Sequence, residues 1–203
     1  MRKIRAILYL AAALLAVAAC GTRNGKKTNS EAKADAQVAE EVETCLTAID
    51  RYLSEVIGTQ YASGEVCIPF HNFIAVDESQ PEDIQVWGDF WVDNYKVSGD
   101  TLLFVSGGNH PGKMHVKQDA EGHFTVTGFD AVGDGSEFLP TAKAIFGDRF
   151  DAFQRAYSDH IRREEIRKNA IAAFVSKHSL PVKVYKDYGW PAVEIPKVNA
   201  KAE

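Results

Sequence analysis

Residues 84–97 read IQVWGDFWVDNYKV, and the alternation inside them decides the fold. Taken with a period of two, Val86, Phe90 and Val92 fall on one face of a strand. Trp87, Trp91, Tyr95 and Val97 fall on the other, interrupted by Asp89 and Asp93. One face is expected to pack on helices. The Trp87/Trp91/Tyr95 face suits a pocket or an interface, because these rings join an apolar body to a polar handle. The alternative is that both faces are simply covered.

The same period extends to either side. Val66, Ile68 and Phe70 alternate and lead into residues 73–76; residues 101–105, 113–118 and 123–129 follow the central strand. Turn-forming residues separate them: 78–83, Ser98-Gly99-Asp100, the glycine-rich stretch 107–112, and 119–122. Sequential strands on short connections read as an antiparallel meander of about five strands.

Helical periodicity brackets this meander. Val38, Val42, Cys45, Leu46, Ile49, Leu53 and Val56 recur at steps of three and four and form the stripe of an N-terminal amphipathic helix, with Gly58 as its stop. A second helical region starts near Ser136, and a long C-terminal helix is expected over 148–178. Its middle, Asp159 to Glu165, is dense in charge and reads as a solvated face with four-residue pairs such as Asp159/Arg163. Residues 182–185 form an edge strand or strap, with Tyr188, Trp190 and Pro191 pinning the tail down. Helix, meander, helix is an α+β arrangement. This element order, over residues 38–178, loosely resembles the cystatin-like and NTF2-like group, in which a curved sheet wraps a helix; the resemblance implies a concave pocket but no particular function.

The N-terminus carries a separate message. Arg2, Lys3 and Arg5 precede an apolar run over 7–19, and Val17-Ala18-Ala19-Cys20 closes it. The run is shorter than the ~20 residues that span a bilayer, and its order is that of a secretory signal. Small residues directly before a cysteine resemble the lipobox of bacterial lipoproteins. That resemblance implies cleavage before Cys20, acylation of Cys20, and anchoring in the cell envelope, the outer membrane being the expected one. The domain plan is then a signal peptide over 1–19, the lipidated cysteine and a polar tether over 20–36, one globular domain over 37–196, and a disordered tail over 197–203.

The chain's net charge is −5, and loss of Arg2, Lys3 and Arg5 makes it more acidic. Nucleic acid is therefore excluded as a partner, since phosphate binding needs clustered Lys and Arg. Export leaves Cys45 and Cys67 as an even pair, which permits a disulfide closing a loop of about 22 residues; two buried free thiols are the other reading. No CxxC redox motif is present.

Catalytic motifs are scarce. The segment SGGNHPGKMH over 106–115 lacks the context of a dinucleotide or phosphate loop and reads as a flexible connection. Pairing 118 with 124 places Val116 beside Val126 and His123 opposite Asp119, far from His115, so these histidines do not converge on a metal. DAVGDGS over 130–136 fails as a calcium loop for want of ligands at its third and twelfth positions. No cofactor is expected. The leading expectation is a lipid-anchored, non-enzymatic module that binds a protein, glycan or small apolar ligand through Trp87, Trp91 and Tyr95. A small hydrolase or isomerase using His71, Asp89 or His115 is the second, and a homodimeric assembly subunit the third.

Overall fold

A computed structural model describes residues 44–197 of the 203-residue chain. The expected signal segment, Cys20, the expected tether, the expected start of the first helix and the tail beyond Lys197 lie outside the described residues. Within them the fold is α+β. Helix α1 (Cys45–Tyr52) opens with Thr44, whose side chain accepts from Thr47 N while Thr47 answers in a capping box. It runs on through a π-turn over Leu53–Ile57 to Gly58. Four antiparallel strands follow: β1 (Val66–Asp77), β2 (Ile84–Ser98), β3 (Thr101–Gln118) and β4 (Phe124–Ala131). Helices α2 (Phe138–Phe146), α3 (Phe150–Ser158) and α4 (His160–Lys177) come next. Two short strands, β5 (Val184–Lys186) and β6 (Val193–Glu194), close the described chain.

The sheet is mixed. β1, β2 and β3 pair in order, and the outer edge of β3 is shared. Its first residues, Thr101–Leu103, pair in parallel with β5, and its last, Gly112–Gln118, pair with β4. Among the described residues no strand pairs with 104–111 on that side. The register Gln118↔Phe124 and Val116↔Val126 is the expected one, and His123 turns back to Asp119 at 3.2 Å.

Both faces of the sheet are covered. Ile84, Val86, Phe90 and Val92 pack with Ile49, Leu53 and Ile57 from the first helical run. On the other face, Trp87 joins Ala142, Phe146 and Phe153 of α2 and α3, while Tyr95 joins Ile171 of α4 and Tyr185 of β5. Apolar residues on both sides of β2 are what a strand buried between two helical layers requires.

Three expectations change. The glycine-rich stretch 107–112 is not a loop but the middle of β3. It stays extended because the glycines admit close neighbours: a Cβ on Gly107 would meet the Val92 carbonyl and the Asp93 carboxylate, and one on Gly108 would meet the Tyr61 hydroxyl. The long C-terminal helix is broken at Asp159, whose side chain caps α4 by accepting from Arg162 N at 3.0 Å. Cys45 and Cys67 are free thiols. Cys45 opens α1, whereas Cys67 Sγ lies 3.9 Å from Ser54 O, ~14 Å further along the helix at ~1.5 Å per residue, so the permitted disulfide is not formed. Burial, reinforced by Glu78, pushes the Cys45 thiol up to about 11, and burial raises Cys67 too; both behave as small apolar groups.

Candidate functional site

Asp89 and Asp93 stand in β2, where every residue from Val86 to Tyr95 is buried, and a buried carboxylate is costly unless it is paired or protonated. α4 supplies cations. Arg167 donates to Asp93 Oδ2 at 2.9 Å and to the Tyr95 hydroxyl at 2.9 Å. It also forms a two-pronged pair with Asp187 at 2.7 Å on each arm. The Tyr95 hydroxyl donates in turn to Asp93 at 3.0 Å. Burial lifts Asp93 above the ordinary carboxylate range and Arg167 pulls it back. The network bolts the segment after β5 to the centre of the sheet.

Arg163 and Asp89 are less well matched, for a geometric reason. Asp89 and Asp93 are four residues apart on a strand, ~13 Å at ~3.3 Å per residue. Arg163 and Arg167 are four apart on a helix, ~6 Å at ~1.5 Å per residue. With Arg167 seated on Asp93, Arg163 falls short: its Nε stops 3.7 Å from Asp89 Oδ2. That oxygen is buried without a hydrogen bond in a residue that is 0% exposed. The other carboxylate oxygen accepts from the Asn109 amide. Burial pushes Asp89 up to about 7, against the opposing pull of Asn109 and Arg163. The Arg163 guanidinium lies 4.8 Å from the centre of the Trp91 ring and 5.0 Å from that of Tyr157.

These side chains floor and wall a cleft of about 550 Å³ between α4 and the sheet. Trp91, stacked on Phe70 at 5.2 Å, forms the floor with Asn109. Arg163, Glu164 and Arg167 form the α4 wall. Glu164 accepts from the Tyr185 hydroxyl at 2.5 Å. The stretch of β3 without an outer partner, through Gly107 and Gly108, lies alongside. At the mouth, Tyr188 is 96% and Trp190 71% exposed, on either side of Gly189 at φ +77°. This corrects the expectation that Tyr188 and Trp190 pin the tail. Asp187 does the pinning, and the two rings beyond it face solvent.

The three aromatic residues expected to share a binding face do share one side of β2, but only Trp91 reaches the cleft. Trp87 is core, its indole N–H donating to Ile145 O at 2.9 Å with Arg149 stacked 4.0 Å from its ring centre. Tyr95 is wholly buried in the Arg167 network. The candidate acid–base residues are dispersed. His71 lies on the α1 face, 3.3 Å from Asp50 Oδ1. Asp89 lies on the opposite face. His115 bridges Asp83 at 2.7 Å and Asp130 at 3.2 Å near one end of the sheet. His110 meets the Tyr61 hydroxyl at 2.8 Å on the α1 face, away from His115. Among the described residues no group of three or more His, Cys, Asp or Glu is placed to hold a metal ion.

Sequence reasoning missed the α4 arginines and the exposed ring pair. The arginines had a signal: two carboxylates inside an apolar strand favour cationic partners, and the only close four-residue pair of arginines beyond the meander is Arg163/Arg167. Tyr188 and Trp190 had none, because an aromatic residue in a tail packs inward as readily as it stands out. No family model matches this chain, no curated protein matches it, and no solved structure does.

Proposed function

We propose that this protein is a lipid-anchored, non-enzymatic binding module of the bacterial cell envelope, held to the membrane through Cys20, with its ligand taken up in the cleft beneath α4. The observation that carries the binding half is the pair of rings at the cleft mouth. Exposed apolar side chains grouped beside a cleft mark interaction sites, and Arg167 holds the base of their loop in place through Asp187. A loop fixed before binding loses little conformational freedom on binding. Anchoring rests on the order of charge, apolar run and small residues before Cys20. Cleavage there would place the domain on a polar tether, with acyl methylenes contributing ~0.8 kcal/mol each.

The test uses the full chain expressed in a bacterium fed labelled palmitate. The wild type is expected to take up label and sediment with membranes, and Cys20→Ala to do neither. Label on the Cys20→Ala chain would sink the anchor. For the cleft, native mass spectrometry of wild type extracted from envelopes is expected to show a bound mass that Trp190→Ala loses. A spectrum of bare protein, unchanged by Trp190→Ala, counts against the cleft as a ligand site.

A further inference from the structure

We infer that the occupant of the cleft is an uncharged glycan, a proposal that rests on the cleft being a ligand site and names its chemistry. The first ground is charge. The strongly charged groups on the cleft wall lie beside an opposite charge or a hydrogen-bond donor of the protein itself. Arg167 is taken by Asp93 and Asp187, Arg163 faces Asp89, and Glu164 accepts from Tyr185. An anionic ligand would have to draw Arg163 or Arg167 away from a carboxylate in a half-buried setting, which leaves a charge uncompensated, and a cationic one would approach Glu164 between these two arginines. A neutral ligand leaves these pairs intact and uses their remaining hydrogen-bonding capacity, since a carboxylate offers about four acceptor sites and a guanidinium five donors.

The second ground is shape. A pyranose ring has an apolar C–H face and an equator of hydroxyl groups. The cleft presents the matching halves: flat rings at its mouth in Trp190 and Tyr188, and polar groups along its wall and floor in Glu164, Asp187 and Asn109. The Asn109 amide nitrogen is committed inward to Asp89 and to the Phe90 carbonyl. Its carbonyl oxygen is therefore left as an acceptor whose direction is fixed before any ligand arrives. At about 550 Å³ the cleft lies among small-ligand sites, which run from about 300 to 1,000 Å³.

Other occupants fit less well. An anionic membrane surface or a nucleic acid would meet Glu164 and Asp187 on the cleft wall, with Arg163 and Arg167 beside carboxylates of the protein. An extended peptide could approach the unpaired edge of β3. That edge is confined between β4 and β5, which pair with the same strand on either side.

The experiment exposes the full chain, in a sugar-free detergent, to an array of neutral and of anionic oligosaccharides. In parallel it follows tryptophan fluorescence with a random decapeptide pool and with phosphatidylethanolamine–phosphatidylglycerol vesicles. Trp190→Ala and Tyr188→Ala are the variants; both side chains are exposed, so unchanged thermal melting is expected of each. The expected result is binding to neutral oligosaccharides, weakened about tenfold or more by either variant. Binding confined to anionic oligosaccharides, or oligosaccharide binding that both variants retain, overturns the proposal. Peptide or vesicle binding that depends on Trp190, with no oligosaccharide bound, overturns the glycan and leaves the cleft standing as a binding site. No Trp190-dependent binding of any probe overturns both.

Discussion

Asp89 sits where its chemistry is disfavoured: a carboxylate with no exposure and one oxygen unbonded. Burial lifts it from its ordinary 3.8 to about 7. The folded state therefore holds the proton more tightly than the unfolded chain does. This favourable contribution is complete below pH ~4 and is lost as the pH rises through about 7. Asp93 and His115 are raised as well and act in the same direction, while burial lowers His110 and acts in the other. Comparison with Asp89→Asn isolates the one group. Wild type is expected to lose stability between pH 5 and 8, and the variant to lose less, by on the order of 2 kcal/mol. Urea unfolding at the two pH values measures it, and parallel slopes would show that Asp89 ionises without penalty. Two acidic residues in an apolar strand were visible in the sequence. Their unequal pairing was not, because it comes from the different rise of a helix and a strand, which appears only once α4 is laid over β2.

Among the elements, β3 shows best where a sequence pattern misleads. Three glycines, an asparagine and a proline within 107–112 have the composition of a turn. They sit in a strand because tertiary packing on both sides leaves no room for a Cβ. The two obstructions differ in kind, and that difference is testable. At Gly107 the obstacle includes the Val92 carbonyl, which is backbone and cannot move without disturbing the β2–β3 ladder. At Gly108 it is the Tyr61 hydroxyl, the far end of a side chain that can swing aside, giving up its hydrogen bond to His110. Gly108→Ala is expected to cost about 1–2 kcal/mol, and Gly107→Ala about 3 kcal/mol or more. Denaturant midpoints of the two variants decide it; equal costs would mean that β3 shifts as a unit. The C-terminal helical region was legible in its apolar stripe. Its break at Asp159 carried only a capping aspartate, a signal too common to set apart from the charged residues around it.

At the scale of the whole molecule, the α+β plan was legible because it depends on periodicity, which survives without knowledge of contacts: strand alternation over 66–129 and helical stripes on either side. The number of layers was not, since a strand apolar on both faces states that both are covered but not by what. The answer is α1 on one face and α2 to α4 on the other, and the two layers are not held equally. α1 and its continuation insert Ile49, Leu53 and Ile57 into a continuous apolar cluster. α4 contributes Ile171 and Ala172 as its only buried residues. It is flanked by the cleft on one side and by a second cavity of about 660 Å³ on the other, toward α1 and the edge of β1. Phe174 and Val175 add half-buried contacts beside Ile171, and Arg167 supplies the polar attachment. Local opening has a lower cost where apolar burial is sparse, so α4 is expected to open before the sheet does. In native-state hydrogen exchange its amides should exchange by a partial opening, while those of β2 wait for global unfolding. Arg167→Ala should remove the bridge, leave Asp93 buried without its cation, and lower stability by about 3–5 kcal/mol. It should also release the Asp187 end of the aromatic loop, so that Trp190 fluorescence anisotropy falls in the folded protein. Equal protection of α4 and β2 in the wild type would mean that the apolar contacts of α4 hold it as firmly as the sheet is held. An unchanged anisotropy in Arg167→Ala would mean that the loop is fixed by something other than Asp187, and the preorganisation on which the cleft depends would need another source.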